Sequence, residues 1–472
     1  MSSKKNQEVS LPLLVCALTI FFIFNMDAGA VNIILIKISG TLNISVGQMQ
    51  WIMSINLLGF AAVMVAAGKL GDILGYTKVI AIGSTLLIIG EFICATTSSF
   101  PVMLGGRLLE GIGGAFMLPN LIILILMYFG DNKGLGSGLI AATGGLALIL
   151  GPLEGGAIAQ LLSWRLLFTI NGILLIIPTI IFFFSIKKKI STKKESLDIA
   201  GAGFLAFSIV FLLLFISNLS AIADNLLLVI LYLGLFIIST LIFFVVEQKI
   251  KVPLIDFKML KEYPHVLIGC FIRFVFFGIF YIIFYVIGVV FQARGVSSIQ
   301  TAMLLLPLTV IIVISSPIVG KITDKHGVRS ISLLAGLFMV LSPVLLIYFL
   351  VIESWFLFFI AMAMFGVTYA ILNTSTIKYS LSSIPKEAQG TLSGILYMFG
   401  LIPGAICMTL AGVILAYNKT IISNSKQMLY TSFRENMLLC LLLGIIGALL
   451  IVFYLKDHKP PKAIADKNEK AS

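Results

Sequence analysis

Fourteen long apolar runs fill this chain, and they decide what it can fold into. They fall at 11–36, 49–70, 79–97, 101–128, 135–162, 165–186, 199–217, 225–246, 266–291, 301–320, 331–352, 354–377, 390–416 and 437–455. About 20 apolar residues, rising 1.5 Å each as a helix, cross the hydrocarbon core of a bilayer. Inside lipid no water is at hand for backbone N–H and C=O groups, so each run must close its own hydrogen bonds and form a helix. A water-soluble fold is excluded: 60% of the 472 residues are apolar and 11% are charged, against about 25% charged in a soluble domain. The expected fold class is an all-α membrane protein with 14 transmembrane helices.

The first run begins after Lys4 and Lys5 and reaches small residues at Ala28–Ala30, like a secretory signal. It continues past that point to Ile36, however, and Asn25 and Asp27 interrupt it, so it reads as an uncleaved first span. Basic residues set orientation. With the N-terminus inside, 24 of the 32 Lys and Arg fall on inside segments and six on outside ones, leaving Arg107 and Arg273 within spans. Both termini are therefore expected in the cytoplasm, with the chain multi-pass in the cell membrane. The net charge of +12 does not imply a nucleic-acid partner, because the basic residues form short inter-span clusters such as Lys187–Lys189 with Lys193 and Lys194. Cys16, Cys94, Cys270, Cys407 and Cys440 all sit in apolar runs without paired spacing and read as small packing residues. His265, His326 and His458 show no metal-ligand spacing, so no metal is expected.

The chain repeats itself. Gly68-Lys69-Leu70-Gly71-Asp72-Ile73-Leu74-Gly75 after span 2 is echoed by Gly320-Lys321-Ile322-Thr323-Asp324-Lys325-His326-Gly327 after span 10, an offset of 252. Ser137-Gly138 in span 5 matches Ser393-Gly394 in span 13, and Gly156-Ala157-Ile158 resembles Gly412-Val413-Ile414, both offset by 256. An offset of eight spans means two six-span halves separated by a two-span insert, a 6 + 2 + 6 arrangement with a solute path between the halves. The divisions are 1–190 for the first bundle, 191–262 for the insert (spans 7 and 8) with its flanking loops, 263–456 for the second bundle, and 457–472 for a basic tail.

Four motifs resemble the major facilitator superfamily, and within it the fourteen-span drug:proton antiporters. The first is the loop Gly68 to Lys78, with a tight turn at Gly75 and an ion-pair network around Asp72; in the family this loop steadies one conformation of two rocking halves. The second is Arg107-Leu108-Leu109-Glu110-Gly111-Ile112-Gly113 in span 4, where Glu110 replaces the family's usual Gln. Three residues apart, Arg107 and Glu110 share a helix face and can pair. The third is Gly151-Pro152-Leu153-Glu154-Gly155-Gly156 in span 5, followed by Trp164-Arg165 and Asn171. Glycines there permit close helix approach, Pro152 removes a helix hydrogen bond, and Glu154 departs from the family's small or apolar residue. Importers of the superfamily generally lack this motif, so the resemblance implies export. The fourth is Met26-Asp27-Ala28-Gly29-Ala30-Val31-Asn32 in span 1, here without the family's following proline.

Charges inside the membrane cost several kcal/mol and mark function. Asp27, Glu91, Arg107, Glu110, Glu154 and Arg273 are of this kind. Span direction puts Asp27, Glu110 and Glu154 at similar depth in the outer half, so they are the expected proton-coupling acids, with Arg107 modulating them. Glu91, near the outer end of span 3, and Arg273, about two turns into span 9, are each within reach of a membrane surface by snorkelling. Span 9 also carries Phe274, Phe277, Tyr281 and Phe284, and with Arg273 these are candidates to line a promiscuous cavity. Four acids against two bases suit lipophilic cations.

The expected activity is proton-coupled efflux of small lipophilic compounds by a monomer, powered by the proton motive force without a cofactor. Export of a dedicated metabolite (a siderophore, peptide or lipid) is the alternative, with proton-symport uptake behind it. No Gly-x-x-x-x-Gly-Lys-Ser/Thr loop serves an ATP-driven pump, and no loop is long enough for a catalytic domain, so an enzyme is not expected.

Overall fold

The computed structural model describes residues 9–44, 46–130, 132–161, 163–185, 198–219, 225–250, 253–255, 261–296, 298–381, 384, 389–422 and 424–455. The basic tail, Lys4 and Lys5, and the Lys187–Lys194 cluster lie outside the described residues. Fourteen helices run through the rest: α1 (Leu11–Leu42), α2 (Val46–Leu74), α3 (Tyr76–Thr96), α4 (Phe100–Phe129), α5 (Lys133–Leu161), α6 (Arg165–Phe184), α7 (Ile199–Asn218), α8 (Leu226–Lys249), α9 (Pro264–Ala293), α10 (Ser298–His326), α11 (Arg329–Ile352), α12 (Trp355–Leu381), α13 (Gln389–Ile421) and α14 (Ser425–Tyr454). Each is long and apolar enough to cross a membrane, and they coincide with the fourteen runs. All five cysteines are free and buried.

Packing separates the chain into two bundles. Helix α3 lies on α4 and α6, α4 on α2, and α1 on α5; in the second half α9 lies on α12, α13 and α14, and α11 on α12 and α14. Helix α4 is buried along most of its length because it is enclosed by its own bundle. Helix α8 shows the opposite pattern, with Leu227, Ile230, Leu231, Ile238, Leu241 and Val245 exposed to what a bilayer would supply. It pairs with α7, and α7 leans on α2 and α13, so the insert sits beside one seam between the bundles.

Two seams join the halves: α2 against α13, and α5 against α10. Their locks are equivalent under the sequence repeat. The Asp72 carboxylate accepts hydrogen bonds from the backbone N–H and hydroxyl of Thr391 (2.9 and 3.0 Å) at the start of α13. The Asp324 carboxylate accepts from the backbone N–H groups of Gly134 and Leu135 (2.8 and 2.9 Å) at the start of α5. Leu135 and Thr391 are themselves 256 residues apart, matching the internal offset. Helix N-termini present unsatisfied N–H groups and a partial positive charge, so a carboxylate there is held by both hydrogen bonding and the helix dipole. Gly75 and Gly327 close the two turns with φ of 93° and 83°, values that a side chain would strain.

These hydrogen bonds between the halves lie at the end of the molecule where α1 begins and α14 ends, and Ser393 Oγ donating to the Pro119 carbonyl (3.0 Å) joins them. Backbones touch there as well, at Gly134 with Gly320 and at Gly138 with Ser316. The molecule is closed at this terminal face.

Candidate functional site

Deep in the first bundle, Asp27, Arg107 and Glu110 converge. Asp27 lies sixteen residues into α1, about 24 Å from its start; Arg107 lies seven residues into α4, about 10 Å from the opposite end of the molecule. Antiparallel packing brings the two to one depth, beyond the middle from the terminal face. Arg107 Nη1 pairs with Asp27 Oδ2 at 2.8 Å and also with Glu110 Oε2, one turn along α4. Its Nε donates to the Ile52 carbonyl of α2 (3.4 Å), and Asn171 of α6 donates to Asp27 Oδ1 (3.4 Å). Arg107 is 1% exposed and Glu110 0%. A guanidinium with several fixed donors suits this bridging of two carboxylates from different helices.

Glu91 belongs to the same cluster, which corrects the expectation that it snorkels to the surface. It is 0% exposed, because α3 is covered by α4 and α6 at that height; Gly90 packs on Glu110, and Gly172 on Glu91 itself. Its nearest oxygen and those of Asp27 and Glu110 lie within 4.8 Å of one another. Glu154 is half-buried on α5 and has one oxygen without a hydrogen-bond partner.

The span 5 glycines have a visible purpose. A Cβ on Gly151 would stand 2.5 Å from the Met26 carbonyl, and one on Gly155 would stand 2.9 Å from Ala30 Cα, so α5 can approach α1 this closely only without side chains. Pro152 fills the space beside Gly29. The same contact holds the backbone on either side of Asp27. Gly156 continues α5. At the terminal face, Gly68 is buried on α2 and Lys78 is exposed at the start of α3.

In the second bundle, Arg273 is 1% exposed rather than snorkelled. It is nine residues into α9, about 14 Å from its start. Nη1 donates to Asn373 Oδ1 (2.9 Å) and Thr376 Oγ1 (3.3 Å). The guanidinium carbon lies 4.7 Å from the Phe277 ring centre and 4.3 Å from that of Tyr397, two cation–π contacts. No carboxylate pairs with it among the described residues, and Nε has no partner. Phe277 also meets Tyr281, Phe280 and Tyr369, forming a continuous aromatic wall from α9 to α12.

Sequence reading missed Thr391, Lys378 and Tyr397 entirely. Thr391 was within reach through the repeat, as the counterpart of Leu135. Lys378, which pairs with Asp324 at 2.7 Å, and Tyr397 had no signal of their own, since their partners are set by helix packing.

Comparison with known proteins gives the family and the fold. The sequence profile of the Major Facilitator Superfamily matches residues 17–408 and 269–472. The multidrug transporter protein MdtP of Bacillus subtilis (strain 168) is 28% identical over 429 residues, covering 88% of this chain and 77% of that protein. The riboflavin transporter RibZ of Clostridioides difficile (strain 630) is 23% identical, covering 94% and 97%. Among solved structures, the proton:xylose symporter XylE superposes with a TM-score of 0.63 at 14% identity, covering 95% and 96%, a likeness of fold alone.

Proposed function

The chain belongs to the major facilitator superfamily, and from that premise we propose that it exports small lipophilic, cationic compounds in exchange for protons. The transporter class and multi-pass membrane placement follow from the family and the fourteen helices. Direction, coupling and substrate charge are the proposal. The observation that carries it is the buried Asp27–Arg107–Glu110 cluster, an ion-paired set of acids held within the membrane-spanning part of the first bundle. Arg107 joins a carboxylate of α1 to one of α4, so a proton arriving at either acid breaks an ion pair that ties these helices together.

The positive-inside count supports a cytoplasmic terminal face. The closed seams then correspond to an outward-facing state. Protonation weakens the hold of Asp27 and Glu110 on Arg107. The α1–α5 contact at Gly151 and Gly155 links that change to α5, whose other end is locked to Asp324. Rocking the halves breaks both Asp locks and opens the cytoplasmic side, where protons leave and a cation takes their place beside the acids. On this reading the protein acts as a monomer in the cell membrane, and the proton motive force is its energy source.

A dedicated exported metabolite is the second reading. Arg273, buried without a carboxylate partner among the described residues, favours a solute bearing an acidic group as well as an aromatic one. RibZ, named a riboflavin transporter, is the relative that keeps this reading in view. A resistance profile separates the two: cells expressing the chain are challenged with cationic dyes, biocides and antibiotics, with Asp27→Asn as control. Protection against several cations that is lost in the variant supports multidrug export; protection against none supports the dedicated substrate.

A further inference from the structure

The ion pairs leave one member of the acid cluster unexplained. Three carboxyl groups, Asp27, Glu91 and Glu110, share one guanidinium. Arg107 engages Asp27 and Glu110 and makes no pair with Glu91. Both Glu91 oxygens are buried and without a hydrogen-bond partner among the described residues, although neighbouring acids lie close by. Glu110 lies beside it on α4, with Arg107, and Asp27 on α1, while α5, packed on α1, carries Glu154. Helix α6 offers Asn171, and α2 offers the Ile52 carbonyl to the same cluster. If all three acids were ionised, the site would hold two surplus negative charges away from water, which a buried site does not tolerate unpaired.

We propose that Glu91 is a proton-carrying residue of this cluster, holding a proton as a neutral acid when the site is loaded and passing it to Asp27 or Glu110. This rests on the proton-coupled reading above and adds a third acid to it. The transfer balances without any co-reactant. The O–H bond on Glu91 breaks and its electron pair stays there as carboxylate; a new O–H bond forms on an oxygen of Asp27 or Glu110, which gives up its share of Arg107. The surplus negative charge thus moves onto Glu91, from α4 or α1 to α3, within a separation of 4.8 Å. A metal cation fits the site less well, because Arg107 already occupies the inward lone pairs of two of the three acids and would sit against the ion.

The test uses the full chain, purified and reconstituted in liposomes. Infrared spectra record the protonated-carboxyl C=O band between about pH 5 and about pH 9, and the transport probe is ethidium. In Glu91→Gln, a neutral isostere, the band should lose the intensity of one carboxyl. Ethidium accumulation driven by an imposed pH gradient should fall about tenfold or more. Glu91→Asp should retain the band, showing that the position and not the fold is being read. An unchanged band in Glu91→Gln, or gradient-driven accumulation within about twofold of wild type, overturns the proposal. So does a band that sodium abolishes at constant pH, which would mark a cation site. If wild-type ethidium movement ignores the pH gradient, the coupling reading fails by itself, and the band still decides whether Glu91 carries a proton.

Discussion

Removing the charges of Asp72 and Asp324 should open the terminal face. Each carboxylate accepts two hydrogen bonds from the start of a helix in the other half, at 2.8–3.0 Å. Asp324 gives one oxygen to each bond, so Asn keeps about one of them; Asp72 gives Oδ2 to both, so Asn keeps both geometries but turns two charge-assisted bonds into neutral ones of about 0.5–1.5 kcal/mol each. A hydrogen bond to a charged group contributes about 1.5–3 kcal/mol, and the interaction of the charge with a helix N-terminus about 0.3–1 kcal/mol. Each substitution therefore costs the closed state about 2–3 kcal/mol, and Asp324→Asn also strands Lys378. The bonds named at the two seams fall on different residues, so the effects should add to about 5 kcal/mol. A shift of about 5.5 kcal/mol converts a 99:1 equilibrium to 1:99, so the double variant should nearly invert the conformational balance, and each single variant should shift it part of the way. Spin labels at Leu74→Cys on α2 and Lys325→Cys on α10, both exposed, report the gap by pulsed dipolar spectroscopy. The double variant should show a dominant longer distance. An unchanged distribution in the double variant would refute the view that these two aspartates lock the halves.

Three further outcomes follow from the packing. Gly151→Ala, whose Cβ would meet the Met26 carbonyl at 2.5 Å, should lower the detergent melting temperature clearly, while Gly144→Ala, whose nearest neighbour is Phe21 at 3.7 Å, should leave it within about 1 °C. Arg107→Met should destabilise the fold by about 3–5 kcal/mol, since it strands buried acids, and Arg107→Lys by less; urea or thermal unfolding reads the difference. Arg273→Gln removes two cation–π contacts and should cost about 1–3 kcal/mol by the same measurement, while easing the transport of cations in a dye-efflux assay.

The helices were legible because bilayer thickness leaves one solution for a long apolar run. The 6 + 2 + 6 order was legible because Asp72 and Asp324 recur at one offset. Depth along a helix also follows from counting residues, which is why Asp27 and Glu110 could be placed at one level from sequence. What a helix faces does not follow from counting. Glu91 and Arg273 each lay near enough to a span end to snorkel, and both are instead sealed by neighbours, Glu91 by α4 and α6 and Arg273 by α12 and α13. Likewise, the N-termini that Asp72 and Asp324 hold belong to helices hundreds of residues away, which no local pattern announces.

Coupling is the central claim, and proton movement across a membrane tests it most directly. The wild-type chain and Asp27→Asn are reconstituted in liposomes with a trapped pH-sensitive dye, and ethidium is added with no imposed gradient. Ethidium moving down its own gradient through the wild type should drive protons the opposite way, giving a pH change that Asp27→Asn abolishes. Ethidium flux through the wild type with no accompanying proton movement would contradict the account.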